Sequence, residues 1–322
     1  MKNIFVTGIT GLLGTNLVID LLENNYQVKA LLRDANSYTE INHPNLQLIQ
    51  GSLFDNIEKY LDDIDVFIHI AAETNQNITK YHHYKKVNCE ATKHLYLNCV
   101  KCGVKKFIFI GTANTIGCGS FEKPGNETHP IRKPFTNSMY AQSKLEAEDF
   151  LLSQNNNTKT IILNPTFMLG AYDRKPSSGK IILMGWKKKI IFYPPGGKNF
   201  VNVKNVSQGI INSIQFGKNG EKYLLANENL TYKEFFERLN KITDQNPLMI
   251  KIPKTILICI GYIGDLCRKV GIKTNISSTN MKTLCITNNF ENTKSTKELK
   301  INYQKIDLGI QDAIDYFEKC GK

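Results

Sequence analysis

Arginine is scarce in this chain: only Arg33, Arg132, Arg174, Arg238 and Arg268 stand among its 41 basic residues. The formal charge is +12 over 322 residues, yet the lysines behind it are scattered, and Lys187, Lys188 and Lys189 form the only compact run. Specific readers of nucleic acid depend on arginine forks, so no nucleic-acid partner is expected. A diffuse positive field instead favours a phosphorylated small molecule. Long apolar runs are also missing, and none reaches the ~18 residues that a membrane span requires. The most apolar stretch, Thr255 to Leu266, is broken by Gly261, Gly264 and Asp265. It reads as a core or pocket helix, with transient membrane contact as the lesser reading. The eight cysteines build no framework, because the single CxxC, Cys99 and Cys102, has no second pair to complete a metal site. Reduced thiols, no metal and a cytoplasmic location are the expectation. A strand starts almost at the N-terminus, which argues against a signal peptide. Asn-x-Ser/Thr matches such as Asn77-Ile78-Thr79 then read as chance in an Asn-rich chain.

What is present is the pattern of an α/β protein. An apolar fraction of 41% with 22% charged residues suits a globular enzyme with a well-buried core. The run Ile4-Phe5-Val6 reads as a first strand, Thr7-Gly8-Ile9-Thr10-Gly11-Leu12-Leu13-Gly14 as a glycine turn, and Leu13, Leu17 and Leu21 as one face of a helix. Glycine permits a tight turn and close backbone approach, and a helix N-terminus offers unpaired N–H groups to an anion. Those are the parts of a pyrophosphate site. Further strands are expected at Val28–Leu32, Leu46–Ile49, Val66–Ala71, Phe107–Ile110 and Thr160–Leu163. Helices are expected between them, including Asn88–Cys102 and Tyr140–Ser153. Continuous apolar strands separated by helices predict a doubly wound parallel sheet of Rossmann type, with the ligand along the edge of strand C-termini.

The pattern changes after Pro165. Residues 1–166 are assigned to the dinucleotide-binding domain, and 200–228 to a return into it, with Tyr223–Ala226 as one more strand. Residues 167–199 and 229–322 form a smaller, mostly helical C-terminal substrate lobe. Its helices are expected at Lys180–Lys188, Thr231–Ile242, Lys254–Val270, Ser278–Leu284 and Leu308–Lys319.

A second signature supports the first. In Tyr140-Ala141-Gln142-Ser143-Lys144 the four-residue spacing sets a phenol and an ammonium on one helix face. A nearby ammonium lowers a tyrosine pKa from its usual ~10, giving a proton donor for a carbonyl or an acceptor for an alcohol. Tyr81 and Lys85 share that spacing, but Tyr81 has no hydroxyl-bearing strand end ahead of it, whereas Tyr140 follows Gly111-Thr112-Ala113-Asn114. At the tip of strand two, Arg33 is suited to grip a 2′-phosphate, which favours NADP(H), while the adjacent Asp34 leaves NAD(H) open.

With these motifs in order, the chain resembles the extended short-chain dehydrogenase/reductase family, also called the epimerase/dehydratase family, over nearly its whole length. Thr7 to Gly14 is similar to the family's TGxxGxxG, and His69-Ile70-Ala71-Ala72 to the segment that lines the cofactor ribose. Val87-Asn88 resembles its Asn-bearing helix start, Thr112 its catalytic Ser/Thr, and Phe200-Val201-Asn202-Val203 the stretch returning from the substrate lobe. Asn164-Pro165-Thr166-Phe167 with Asp173 to Gly179 is most like the dihydroflavonol-reductase-like branch, where the Pro and the residue two beyond approach the nicotinamide carboxamide.

The resemblance implies that Tyr140 is the general acid/base, that Lys144 holds the nicotinamide ribose, and that Thr112 bonds the substrate oxygen. It implies that Asn88 supports a water relay, although an Asn there can equally serve as a helix cap. The implied cofactor contacts are Thr7, Gly8, Thr10, Gly11, Leu12, Leu13, Gly14, Arg33, Ala71, Ala72, Tyr140, Lys144, Pro165 and Phe167. Ser52 stands where the family often has an Asp near the adenine, with Leu53 beside it, so that contact is expected to be weaker. A homodimer through the helices 88–102 and 140–153 is a further implication by analogy.

Three reactions fit this machinery. Dehydration is disfavoured, because Ala113 and Asn114 follow Thr112 where the family's dehydratases carry Asp-Glu. Nucleotide-sugar substrates need arginines for the diphosphate, and the second lobe has only Arg174, Arg238 and Arg268. Phe167, Met168, Tyr172, Trp186, Phe192 and Tyr193 are expected near the substrate instead. The resulting expectation is an NADP(H)-dependent reductase of a small apolar or aromatic ketone or aldehyde, with a nucleotide-sugar epimerase as the alternative. A non-catalytic cofactor sensor would have no use for the Thr112/Tyr140/Lys144 set.

Overall fold

The computed structural model describes residues 2–36 and 38–321. Strand β1 (Asn3–Thr7) runs into helix α1 (Leu12–Glu23), followed by β2 (Gln27–Leu32), β3 (Leu46–Gln50) and β4 (Val66–His69). Next come α2 (Tyr81–Lys85), a π-helical turn at Lys86–Glu90, α3 (Ala91–Lys101), β5 (Lys106–Ile110), α4 (Met139–Leu152) and β6 (Lys159–Pro165). The chain then leaves the sheet through β7 (Phe167–Leu169), α5 (Lys180–Gly185), β8 (Ile190–Tyr193), β9 (Gly197–Asn202) and α6 (Val203–Phe216), and returns as β10 (Glu221–Leu225). The remainder is β11 (Glu228–Thr231), α7 (Tyr232–Ile242), β12 (Leu248–Lys251), α8 (Lys254–Lys269), α9 (Ser278–Leu284), α10 (Thr293–Glu298) and α11 (Ile306–Lys319).

Seven strands form one parallel sheet in the order β10-β6-β5-β4-β1-β2-β3. The order reverses at β1, whose neighbours are β4 and β2, and ligands bind beyond the strand ends at such a switch point. Alternation sorts the side chains to two faces. Ile4, Val6, Val28, Ala30, Ile68 and Ile108 pack with α1 and α6. Phe5, Phe67 and Phe107 face the other way, towards Leu95, Tyr96 and Leu151 of α3 and α4. Phe5 and Phe67 are register partners, as are Phe67 and Phe107. Their rings stack at 4.9 and 5.3 Å, a ladder across three strands.

The second lobe has its own core around Trp186, Phe200, Phe235, Phe236 and Phe317. Thr231 and Glu234 form a reciprocal capping box that starts α7. This lobe is less purely helical than its sequence pattern suggests. It carries the sheet β11-β9-β7 and the two-stranded β12-β8, whose strands are too short for alternation to announce them. Helix α8 corrects the reading of 255–266 as a core helix. Only Leu257, Gly261 and Gly264 of α8 are buried, because the glycines face the protein and leave most of the large apolar side chains outside. Among the described residues no helix is long and apolar enough to cross a membrane.

Candidate active site

The turn between β1 and α1 is built around backbone that only glycine allows. Gly8 lies at φ +83°, and a Cβ there would sit 2.6 Å from the Ala71 nitrogen. At Gly14 a Cβ would come within 2.1 Å of the Gly8 carbonyl oxygen, so α1 is clamped against the turn. Gly11 differs: it is exposed, and a Cβ there would touch nothing closer than 3.8 Å. It begins α1 with no side-chain cap and no acid in the first turn. The first N–H groups and the positive dipole end are therefore available to an anion. This turn fits a dinucleotide diphosphate. Thr10 is exposed beside Gly11, whereas Leu12 and Leu13 point into the core.

Thr7 is placed otherwise than the resemblance implies. Its hydroxyl is fully buried, 2.7 Å from His69 Nδ1, and the His69 Nε2 lies 3.1 Å from Thr92 Oγ1. That chain ties the ends of β1 and β4 together beneath the turn. Burial, aided by the Lys144 charge, pushes His69 down to about 3, so it stays neutral at working pH. Arg33 directly follows β2 as an exposed side chain without an ionic partner among the described residues, and Ser52 and Leu53 follow β3 on the same edge. Ala71 and Ala72 lie after β4, half-buried, and Pro165 ends β6 with Phe167 two residues on.

Helix α4 carries the Tyr140/Lys144 pair. Ser138 caps it, its Oγ accepting from the Ala141 N–H at 3.3 Å. Tyr140, Lys144 and Glu148 then succeed one another a turn apart on the face packed against β5 and β6. The Thr112 hydroxyl, at the end of β5, lies against the Tyr140 phenol. Lys144 Nζ donates to the Ile110 carbonyl at 2.8 Å and sits 4.4 Å above the Phe109 ring centre. Glu148, wholly buried, accepts from Asn164 Nδ2 at 2.7 Å and Thr115 Oγ1 at 2.9 Å, and pairs with Lys222 of β10 at 2.7 Å. Glu148 is not singled out by the sequence, and Asn164 enters it only as the first residue of Asn164-Pro165-Thr166-Phe167. The available signal was Glu148 as the next position in the four-residue series.

The electrostatics reverse one expectation. Burial pushes Tyr140 up to about 12, against the lowering pull of Thr112, with Glu148 and Tyr84 adding to the rise. Burial pushes Lys144 down to about 7, partly offset by Glu148. The ammonium is held at the Ile110 carbonyl instead of the phenol, so desolvation of each group outweighs their mutual attraction. In this state Tyr140 is a protonated donor at neutral pH.

Asn88 lies in the π-helical turn between α2 and α3, not at a helix start. Its Oδ1 accepts from the Glu73 N–H at 2.7 Å, and its Nδ2 donates to the Glu73 carbonyl at 3.1 Å and to Ser143 Oγ at 2.9 Å. Both amide hydrogens are thus used to fasten the loop after β4 to α4, and the side chain caps no helix. The Tyr81/Lys85 pair is a clasp: the phenol donates to Glu146 of α4, and Lys85 Nζ lies 3.1 Å from the same carboxylate.

An open cleft of about 530 Å³ lies between the loops after β4 and β7, lined by Glu73, Thr74, Asn75, Lys175, Pro176 and Lys180. The aromatic residues expected near the substrate divide. Trp186 enters the lobe core, Tyr193 and Met168 pack against cores, Phe192 is 55% exposed, and Tyr172 meets Tyr316. Phe167 also packs against the lobe core, edge-on to Phe200 and beneath Lys198. Side-chain direction in short strands decided this, and residue type could not.

Comparison with known proteins agrees with this geometry. Over 98% of its length the chain is 24% identical to a putative dihydroflavonol 4-reductase of Synechocystis sp., covering 95% of that protein. It is 28% identical to a sterol-4-alpha-carboxylate 3-dehydrogenase, decarboxylating, of Dictyostelium discoideum, covering 98% of each. The crystal structure of gox2253 superposes with a TM-score of 0.84 at 27% identity, over 100% of this chain and 99% of that one. Residues 4–226, the parallel sheet with its glycine turn and Tyr/Lys helix, match the model of the NAD dependent epimerase/dehydratase family. The chain therefore belongs to that family, the extended short-chain dehydrogenases/reductases, and is an NAD(P)-dependent enzyme.

Proposed function

We propose that this protein is an NADP(H)-dependent reductase that converts the ketone or aldehyde of a small, largely apolar substrate into an alcohol. The observation that carries this reading is the Thr112 hydroxyl set against the Tyr140 phenol, with Lys144 one turn along α4. A bound nicotinamide supplies the hydride. The chain's own residues do the rest. Thr112 Oγ1 holds the substrate oxygen, and the Tyr140 O–H donates its proton to that oxygen as negative charge develops there. Lys144, one turn along the same helix, would hold the nicotinamide ribose. Asn88 fastens the loop after β4 to α4. Gly8, Gly11, Gly14 and the start of α1 would hold the diphosphate, and Arg33 the 2′-phosphate. Among the relatives, two bear the names of a reductase and a dehydrogenase, and another that of a UDP-glucose 4-epimerase.

The test is an NADPH-absorbance screen across apolar ketones, aromatic aldehydes and sugar nucleotides. Stoichiometric NADPH loss with a carbonyl compound supports the reading; no loss with any carbonyl removes it. For the cofactor, Arg33→Ala is expected to raise the NADPH Kd roughly tenfold or more, the size of one charge-assisted contact, while shifting NADH less than about twofold. Isothermal titration with both cofactors checks this, and equal losses would contradict the assignment.

A nucleotide-sugar epimerase is the second reading, favoured by Lys175 and Lys180 on the cleft. Such an enzyme would interconvert two sugar nucleotides with no net cofactor consumption.

A further inference from the structure

We propose that the solvent face of α8 is a docking surface for a bilayer with anionic lipid headgroups. Helix α8 is inside out. Ile256, Ile260, Ile263, Leu266 and Val270 recur at spacings of three and four, forming one apolar stripe. The stripe points to solvent: Ile263 and Leu266 are each 63% exposed, and Val270 is 69% exposed. The opposite face is closed by glycine. A Cβ at Gly261 would lie 2.8 Å from Ser278 Cα, and one at Gly264 2.5 Å from the Ile276 carbonyl oxygen. The backbone is therefore drawn tight against α9 and the segment before it, with the large side chains left outside. Exposed Leu248 and Ile250 of β12, beside Ile190 and Phe192 of β8, lead directly into this helix.

Charge selects the occupant. Residues 248–282 hold Lys251, Lys254, Lys269, Lys273, Lys282 and Arg268 against a single acid, Asp265. Asp265 is turned inward and accepts from the Ser278 N–H at 3.1 Å. Lys251, Lys254, Lys269 and Lys273 are exposed at the two ends of the stripe, and none forms an ion pair among the described residues. The run Lys187–Lys189 immediately precedes β8 and is exposed as well. Apolar side chains flanked by lysines suit an interface where the stems lie in the acyl boundary and the ammonium groups meet phosphates. A second copy of this chain would set the same lysines against themselves, and nucleic acid offers nothing to the stripe.

The surface adjoins the loop after β4. Arg268 Nη2 donates to the Gln76 carbonyl at 2.8 Å, and Asn280 Nδ2 to Gln76 Oε1 at 2.9 Å. Gln76 belongs to the loop that Asn88 fastens and that forms one wall of the cleft. Docking would thus set the cleft beside the lipid surface, where an apolar substrate is concentrated. The proposal itself does not depend on which carbonyl is reduced.

The experiment is flotation of the full chain with vesicles of phosphatidylcholine alone and of phosphatidylcholine with about one-third phosphatidylserine. Wild-type protein is expected to float with the anionic vesicles and to release as salt is raised. Ile263→Asp combined with Leu266→Asp is expected to cut recovery by roughly tenfold or more with an unchanged melting temperature, since both sites are solvent-exposed. Lys254→Glu with Lys269→Glu and Lys273→Glu gives an independent arm and is expected to lose the preference for anionic vesicles. Absence of flotation, or equal flotation of both variants, would overturn the proposal. So would light scattering that shows a wild-type dimer which the Asp variant converts to monomer, because the stripe would then be covered by a second copy.

Discussion

Replacing Tyr140 by Phe is expected to lower turnover by about 10³–10⁴ while leaving the cofactor Kd within about threefold. The ring remains to fill its site beside Tyr84, and the diphosphate turn lies on a different element, so only the proton donor is lost. Transient kinetics with a substrate found in the absorbance screen, together with cofactor titration, separates the two effects. A variant keeping a tenth of wild-type kcat would remove Tyr140 from the chemistry. The phenol's high proton affinity adds a sign to the pH profile. A donor pushed up to about 12 stays protonated at neutral and moderately alkaline pH, so wild-type reduction should show no loss from Tyr140 ionisation there.

Lys144→Met is expected to move activity and stability in opposite directions. Turnover should fall by about 10² or more, the lower range for a positioned proton-transfer group. Stability should rise at low pH, because Lys144 is only 1% exposed and is held down to about 7 from 10.5. Below about pH 7 both folded and unfolded chains carry the proton, and the full burial cost is present. Between about 7 and 10.5 the unfolded chain binds one proton more than the folded one, so this residue's penalty fades as pH rises. A displacement of this size corresponds to roughly 5 kcal/mol at most, and loss of the bond to the Ile110 carbonyl returns about 1–3 kcal/mol of it. A net gain of about 2 kcal/mol is therefore expected near pH 6, a few degrees in Tm for a chain of this size. Melting curves at low and high pH check this. A variant less stable at both would show the amine to be a net stabiliser where it sits.

Much of the nucleotide half was legible because its signals are local. The run Ile4-Phe5-Val6, followed at once by a glycine turn, reads as a strand buried on both faces and is one, and Gly8 with Gly14 admits no side chain. Tyr140 and Lys144 were legible for the same reason, since a four-residue spacing on one helix fixes a shared face. What escaped depended on distant partners. Glu148 is a surface-type residue until Lys222 and Asn164 arrive to satisfy it. Asn88 reads as a relay residue or, less readily, a cap, and its bonds to the Glu73 backbone come from a loop that the local sequence does not announce. The stretch 255–266 reads as core because apolar residues usually face inward. Gly261 and Gly264 were the clue that the smaller side would take that place. Trp186 and Phe192 went to opposite environments, inside the lobe and outside it, which composition could not distinguish.

The pairing of Glu148 with Lys222 spans 74 positions of chain. During synthesis, all the strands from β1 to β6 leave the ribosome before β10 does. Until then α4 holds an acid without its cation, and a buried charge deprived of its partner costs about 3–5 kcal/mol. The intervening residues, which include β7 to β9, must be made before the pair can close. Completion of this buried ion pair therefore waits on the translation of Lys222, well after the helix that carries its acid has been made.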